Sequence, residues 1–139
     1  MPNFWLVKTE PSVYSFADLE REGRAVWDGV TNNLAQKNLR RFQARDQVLV
    51  YHTGDEKQVV GIATVLAGPY PDPQNTALVV VDLKPDRPLP RPVSLAEIKS
   101  EARFSDSPLV RLPRLSVMPV TPEQWEVVLE MSGRVPTAP

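Results

Sequence analysis

Three apolar runs joined by short polar turns constrain the fold of this chain more than any other feature. Gln47 to Thr53 (QVLVYHT) and Gln58 to Ala67 (QVVGIATVLA) are separated by GDEK, which is typical of a four-residue hairpin loop. A third run, Thr76 to Lys84 (TALVVVDLK), follows a proline-bearing loop, PYPDP. Because hairpins join these strands, and not long helical crossovers, we predict a mixed, largely antiparallel sheet curled into a small β-barrel.

Further strands and several short helices are predicted around these hairpins. Two strands are expected near the ends, at Phe4 to Thr9 and Arg114 to Val120, and RAVWD forms a brief extended piece. Capping-box patterns mark three helix starts, Ser15 with Asp18, Ser94 with Glu97 and Thr121 with Gln124. A fourth helix is expected over residues 31–42, TNNLAQKNLRRF. The predicted order is β-α-β-α-β-β-β-α-β-α, which is an α+β fold with helices outside the sheet.

The composition excludes several classes of protein. The chain has 139 residues, the size of one domain, which we expect to span 1–139 with an ordered core from about 3 to 133. It has no cysteine and one histidine, His52, which excludes disulfide frameworks, zinc fingers and thiol nucleophiles, and no metal site is expected. Neither a phosphate-binding glycine loop nor a long apolar run occurs. We therefore expect no cofactor, no membrane span and a cytoplasmic location.

The charge balance does not indicate a strongly basic protein, so any basic surface must be a local patch. The formal net charge is −1, so nothing in the bulk composition indicates a nucleic-acid binder. Lys37, Arg40 and Arg41 are spaced to share one helix face, which could neutralise phosphates or could simply be solvated. Arg111 and Arg114, ahead of the last strand, are a second candidate for phosphate contact.

The stretch WDGVTNN, Trp27 to Asn33, concentrates unusual residue types at a strand-to-helix junction. Taken singly, Asp28 and Gly29 indicate a turn, Asn32 a helix cap and Trp27 a core residue. Taken together they indicate more, because a turn needs no tryptophan and a core tryptophan needs no Asp-Gly after it. An aromatic face beside a polar edge is what stacking and hydrogen bonding of a planar base require.

A similar excess of polarity ends the first predicted strand. Lys8, Thr9 and Glu10 follow an apolar run and precede Pro11. The simplest interpretation is a strand end that reaches solvent. The same three side chains could also line the mouth of a pocket.

These segments, taken in order along the chain, resemble the EVE domain family. The matching pieces are KTEP after an apolar strand, YSFADLEREG, WDGV followed by an Asn, LVYHTGDEKQVVGIATV, YPDP, LPRPVSLAEIK and LPRLSVMPVTPEQW. The resemblance covers about residues 3 to 133. It implies a PUA-like fold related to ASCH and YTH domains, with a pocket that accepts a flipped or unpaired base, often a modified one.

The resemblance also implies which residues form the site. The family pattern places on the pocket wall Lys8, Thr9, Glu10, Trp27, Asp28, Val30 and Asn32. Similarity to YTH domains implies that Trp27 supplies an aromatic wall, that Tyr51 and His52 approach from the hairpin, and that Ser116 lies close by. The basic residues expected to meet phosphate are Lys37, Arg40, Arg111 and Arg114.

The chain departs from the commoner family pattern beside the expected pocket. Many members have WDGVRNYQARN where this chain has WDGVTNNLAQK, so Thr31 and Gln36 replace arginines and Asn33 replaces a tyrosine. Compared with the commoner pattern, the rim of the expected pocket has less positive charge and one aromatic ring fewer. A weaker ligand, a free modified nucleoside, or recognition aided by Lys37 and Arg40 are the interpretations that this leaves open.

Three functions fit these observations. The leading hypothesis is a non-enzymatic reader of a modified base in DNA or RNA. The first alternative is a small amidohydrolase acting on a modified nucleoside, because some ASCH-type relatives use Lys, Thr and Glu, the residue types of Lys8, Thr9 and Glu10. The second is a protein-interaction module that presents proline loops such as LPRPV. The sequence does not specify the oligomeric state.

Overall fold

A computed structural model describes residues 3–133 of the chain. The strands are β1 (Phe4–Thr9), β2 (Ala25–Trp27), β3 (Gln47–His52), β4 (Gln58–Asp72), β5 (Asn75–Ser94) and β6 (Val117–Val120). The helices are α1 (Phe16–Glu22), α2 (Asn33–Leu39), α3 (Leu95–Lys99), α4 (Pro108–Arg111) and α5 (Pro122–Gly133), with a short 3-10 helix at Ala102–Phe104. No helix in this part of the chain is long and apolar enough to cross a membrane.

The strands form one six-stranded sheet in the order β2-β5-β4-β3-β1-β6. Only β1 and β3 pair in parallel, with Phe4 opposite Gln47, and the other neighbours are antiparallel. The predicted α+β class with a mostly antiparallel sheet and short helices is confirmed. Within residues 3–133 the sheet is not closed, because β2 and β6 each pair with a single strand and not with each other.

The hairpin of β4 and β5 is longer than predicted. The PYPDP segment does not form the expected loop, because its residues 69–72 lie in β4 and the turn is reduced to Pro73 and Gln74. β5 continues ten residues beyond Lys84, to Ser94, although this part contains several prolines. The pairing shifts register repeatedly here, for example between Ile62 and Ala63, and such irregularities tolerate prolines, which cannot donate ladder hydrogen bonds.

Other elements differ from the prediction mainly at their ends. The last strand begins at Val117 and not at Arg114, and α2 is confined to Asn33–Leu39. Helix α4 was not predicted; Ser107 caps it by accepting a hydrogen bond from the Leu109 backbone N–H. The predicted capping boxes at Ser15 and Ser94 are confirmed.

Helix α1 is fixed against the sheet at a glycine. A Cβ built on Gly61 of β4 would lie 2.5 Å from the Phe16 ring, so a larger residue at this position would push α1 away. The N-terminus of α1 is also tied to the end of β3, because the Phe16 backbone N–H donates to His52 Nε2 at 3.0 Å. These contacts fix the β1–α1 loop beside β2.

Candidate functional site

A cavity lies between the β1–α1 loop and β2. It has a volume of about 640 Å³, which is within the range of small-molecule pockets. Its walls mix aromatic, apolar and charged side chains: Thr9, Val13, Tyr14, Glu22, Arg24, Ala25, Val26, Trp27, Asp28 and Gly29. We refer to this cavity as the pocket.

Trp27 is one of the residues that line the pocket. It ends β2, an edge strand, where it pairs with Val81 of β5, and 7% of its surface is exposed. Tyr14 meets it edge to face, with ring centroids 6.1 Å apart and an interplanar angle of 80°. The contact with the partly buried Tyr14 holds the Trp27 ring in place, and the small exposed part of Trp27 lines the cavity.

The remainder of WDGVTNN is a turn and a helix cap. Gly29 has φ +76°, a conformation that favours glycine, and Asn32 caps α2 by accepting from the Ala35 backbone N–H at 2.9 Å. Val30 is buried, and its carbonyl accepts from Gln36 Nε2 at 2.8 Å. Gln36, which replaces an arginine of the commoner family pattern, therefore anchors the loop instead of facing solvent.

Gln36 also joins this loop to the sheet. Its Nε2 donates to the Val79 carbonyl at 3.0 Å and its Oε1 accepts from the Val79 N–H at 2.9 Å. The side chain is buried, so these bonds are made away from water. Trp27 and Asp28 are thus positioned between β5 and α2, whereas Thr31 and Asn33 are exposed.

Charged groups form the polar edge of the pocket. Arg24 pairs with Asp82 at 2.5 Å, and Tyr70 donates to the same carboxylate at 2.5 Å. Burial would raise the pKa of Asp82, but the hydrogen bonds from Arg24 and Tyr70 outweigh it and lower the pKa. Asp82 therefore stays ionised and holds Arg24 at the pocket.

Two carboxylates complete this edge. Asp28 is exposed at the pocket wall, and Glu22 accepts a hydrogen bond from the Tyr14 hydroxyl at 2.6 Å. Burial and the bond to Glu22 raise the pKa of Tyr14, so its hydroxyl remains a donor at neutral pH. Tyr14, Glu22 and Arg24 were not predicted as site residues, because no residue pattern distinguishes them from ordinary surface positions.

Lys8, Thr9 and Glu10 point to three different places. Thr9 lines the pocket, but its hydroxyl donates to the Tyr14 carbonyl at 2.7 Å. Lys8 Nζ donates to the Pro113 carbonyl at 2.8 Å, and burial lowers its pKa. Glu10 accepts from Ser12 and Thr53. The structure does not bring these three side chains into one site.

The hairpin residues Tyr51 and His52 are buried and do not line the pocket. Lys8 Nζ lies 5.4 Å from the centroid of the Tyr51 ring. His52 accepts from the Phe16 N–H through Nε2, so in the neutral ring Nδ1 carries the proton and donates to Glu56 at 2.9 Å. The described contacts of both residues are with the protein itself.

The predicted phosphate-binding residues fall into two groups. Lys37 and Arg40 are exposed near the end of α2, and Arg40 donates to the Ala77 carbonyl. Arg111 and Arg114 line a second cavity, of about 330 Å³, together with Asn32. Ser116 is half-buried after this cavity, and its carbonyl accepts from the Lys8 backbone N–H. Within residues 3–133 no acidic or histidine cluster could hold a metal ion.

Comparison with known proteins gives a consistent result. The family model of the EVE domain matches residues 3–131. A protein of Rhodopseudomonas palustris, solved by NMR, is 41% identical with a TM-score of 0.89, and the match covers 94% of this chain and 93% of that chain. Thymocyte nuclear protein 1 of Rattus norvegicus is 26% identical over 173 residues, covering 99% of this chain and 76% of that protein.

A third relative was solved with nucleic acid. The human THYN1 protein, in a complex with DNA containing 5-methylcytosine, is 25% identical with a TM-score of 0.88, and the match covers 96% of this chain and 99% of that chain. The family model and the ordered sequence motifs cover the same residues, including both the pocket wall and the strands that support it. This chain belongs to the EVE domain family.

Proposed function

We propose that this protein is a non-enzymatic nucleic-acid reader that binds a modified or flipped base in the pocket beside Trp27. The observation that carries the proposal is an open pocket of about 640 Å³ with an aromatic wall and a polar edge. The human relative in complex with 5-methylcytosine DNA supports the same class of ligand.

The pocket offers the contacts that an extruded base needs. Extrusion costs a few kcal/mol, which stacking and edge hydrogen bonds must offset. In the proposal Trp27 stacks on the base, and Asp28 with Glu22 accepts hydrogen bonds from an exocyclic amine, as carboxylates do with cytosine N4. The rim residues Val13 and Val26 are 80% and 48% exposed, so apolar surface is available for a base substituent such as a methyl group.

The proposed partner is DNA or RNA with a modified base. Phosphate contacts are assigned to exposed cations outside the pocket, Lys37, Arg40, Arg111 and Arg114, because phosphate contacts orient a strand without identifying its sequence. Their number is small, and the net charge of the chain is −1, so we expect base recognition to contribute much of the affinity.

Matched titrations test this proposal. Short DNA strands with a single 5-methylcytosine or a plain cytosine, and RNA strands of the same sequence, are titrated into the protein at fixed salt. We expect saturable binding with a clear preference for a modified strand. Equal and unsaturable binding of every strand would rule the proposal out, and a preference confined to RNA would assign the ligand to RNA.

No observation favours the hydrolase alternative. Lys8 Nζ is engaged with Pro113, and the Thr9 hydroxyl is engaged with Tyr14, so neither is poised beside a common substrate. Incubation with an acylated cytidine should therefore give no product. Product formation that is lost in a Lys8→Ala variant would restore the hydrolase hypothesis.

A further inference from the structure

The second cavity is lined by residues that include Asn32, which follows closely in the sequence after the last pocket residue, Gly29. We call it the leucine groove, since Leu34, Leu112 and Leu115 line it. Its volume is about 330 Å³, and it shares no lining residue with the pocket. Gly29 lines the pocket and Asn32 lines the groove. Only two residues lie between them, so their Cα atoms are at most about 11 Å apart.

The groove combines exposed apolar surface with positive charge. Leu34 is 42% and Leu112 is 45% exposed, although leucine side chains are usually covered. Arg114 is exposed, and its side chain has no hydrogen bond or ion pair within residues 3–133. No carboxylate lines the groove. This charge is complementary to an anionic ligand that also presents an apolar face.

Contacts behind the groove fix its shape. The turn that carries Arg114 is closed by a hydrogen bond from the Leu115 N–H to the Leu112 carbonyl at 2.9 Å. Lys8 holds the same turn, since Nζ donates to the Pro113 carbonyl at 2.8 Å while its charge lies over the Tyr51 ring. On the opposite wall, Asn32 is fixed as the cap of α2. These contacts hold the turn and the helix cap that border the groove.

We propose that the leucine groove binds the nucleotide next to the recognised base, with Arg114 at its phosphate and Leu34 and Leu112 against its sugar and base. This inference rests on the proposed function, because one strand must occupy both cavities. A nucleotide fits the groove better than a peptide does, since a phosphate matches the unpaired Arg114 and a sugar-base face matches the leucines. The site is then a reader of at least two successive nucleotides.

A length series on the whole chain tests the inference. The probes are 5-methyldeoxycytidine monophosphate and a single-stranded trinucleotide with the same base in the middle. We expect the trinucleotide to bind about tenfold more tightly than the mononucleotide, a difference of roughly 1.4 kcal/mol in binding free energy. A Leu34→Ser, Leu112→Ser double variant should lose most of this gain and keep the affinity for the mononucleotide. Leu66→Ser is the control, since Leu66 is an exposed leucine that lines neither cavity.

The charge is tested separately by salt dependence. For a single strand, each phosphate contact contributes about 0.7 to the slope of log affinity against log salt. Arg114→Ala should reduce the slope by about this amount with the trinucleotide, whereas Arg87→Ala, at an exposed ion pair outside both cavities, should not.

The possible outcomes separate the two proposals. If the mononucleotide binds but the trinucleotide binds no better, or if the gain survives in the double leucine variant, the groove assignment is wrong and the proposed function stands. If neither probe binds, and the ribonucleotide forms of both probes also fail to bind, both are wrong. If sedimentation shows a dimer that Leu112→Ser dissociates, the groove is an interface between copies of the chain, and the assignment is again wrong.

Discussion

Two polar regions of this fold, one at the paired ends of β1 and β3 and one at the end of β2, differ in what their side chains contact. At the ends of β1 and β3, Lys8, Glu10 and His52 all form hydrogen bonds with other protein groups. At the end of β2, Trp27 and Asp28 face an open pocket. Both regions carry an excess of polar residues, which in the sequence alone indicates a possible site. An excess of polar residues at a strand end is therefore structural where protein groups satisfy it, and it is available to a ligand where they do not.

Replacing the pocket tryptophan should produce the largest loss of binding. Trp27→Leu is expected to weaken binding of a modified strand by about tenfold to a hundredfold, because stacking on an aromatic side chain is worth about 1–3 kcal/mol per base. Titration with labelled DNA measures this. The matched control is Trp125→Leu, since Trp125 is buried against Phe4 away from the pocket. If both variants lost affinity equally, the loss would reflect general destabilisation, and Trp27 would not be a specific contact for the base.

Replacing the buried histidine should lower stability and leave recognition unchanged. His52→Ala removes the acceptor of the Phe16 N–H and leaves a cavity, so we expect the free energy of unfolding to fall by about 2–4 kcal/mol. Urea denaturation measures the loss. Glu56→Ala removes only the half-exposed partner of His52 and should cost less than about 1 kcal/mol. A folded His52→Ala protein with altered base preference would place His52 in the site.

Replacing Glu10 should produce the smallest effect, a change in the free energy of unfolding that is seen only at acidic pH. The hydrogen bond from the Ser12 backbone N–H lowers the pKa of Glu10 below the ordinary value of 4.5. The folded state therefore binds this proton less tightly than the unfolded chain, so the stabilisation is complete above pH 4.5 and is lost as the pH falls through the folded pKa. The Glu10→Gln variant should therefore show a weaker dependence of its unfolding free energy on pH in this acidic range.

Unfolding measured from about pH 3 to 7 on both proteins isolates the Glu10 contribution. Binding of a modified strand at neutral pH should be the same in both, since Glu10 does not line the pocket. Weaker binding by the Glu10→Gln variant at neutral pH would move Glu10 from the structural group to the binding group.

The sequence predicted the fold better than the site for a physical reason. Hairpin spacing, alternating apolar runs and capping boxes are local patterns, so the strands around GDEK and the cap at Ser15 could be predicted. The irregular pairing of β5 beyond Lys84 depends on partners distant along the chain, so it could not.

Among the residues that line the cavity, Thr9, Trp27 and Asp28 were named from the sequence because each is unusual for its local role. Trp27 and Asp28 stand out in a turn, whereas Arg24 becomes part of the pocket only because Asp82, 58 residues later, holds it there. His52 lies beside a motif segment in the sequence, yet its ring is turned to the N-terminus of α1 by a contact that no spacing reveals. The direction of a side chain at a strand end depends on tertiary contacts and not on the sequence nearby.

The most direct test of the central claim uses the indole N–H signals of the three tryptophans in an NMR titration with a short 5-methylcytosine strand. Trp5 Nε1 donates a hydrogen bond to the buried Asp46, and Trp125 is buried against Phe4. Neither of these two indole rings is therefore accessible to a base. We predict that the Trp27 signal shifts to saturation while the other two stay in place. Saturable binding with an unchanged Trp27 signal would contradict the claim that Trp27 is the wall of the base pocket.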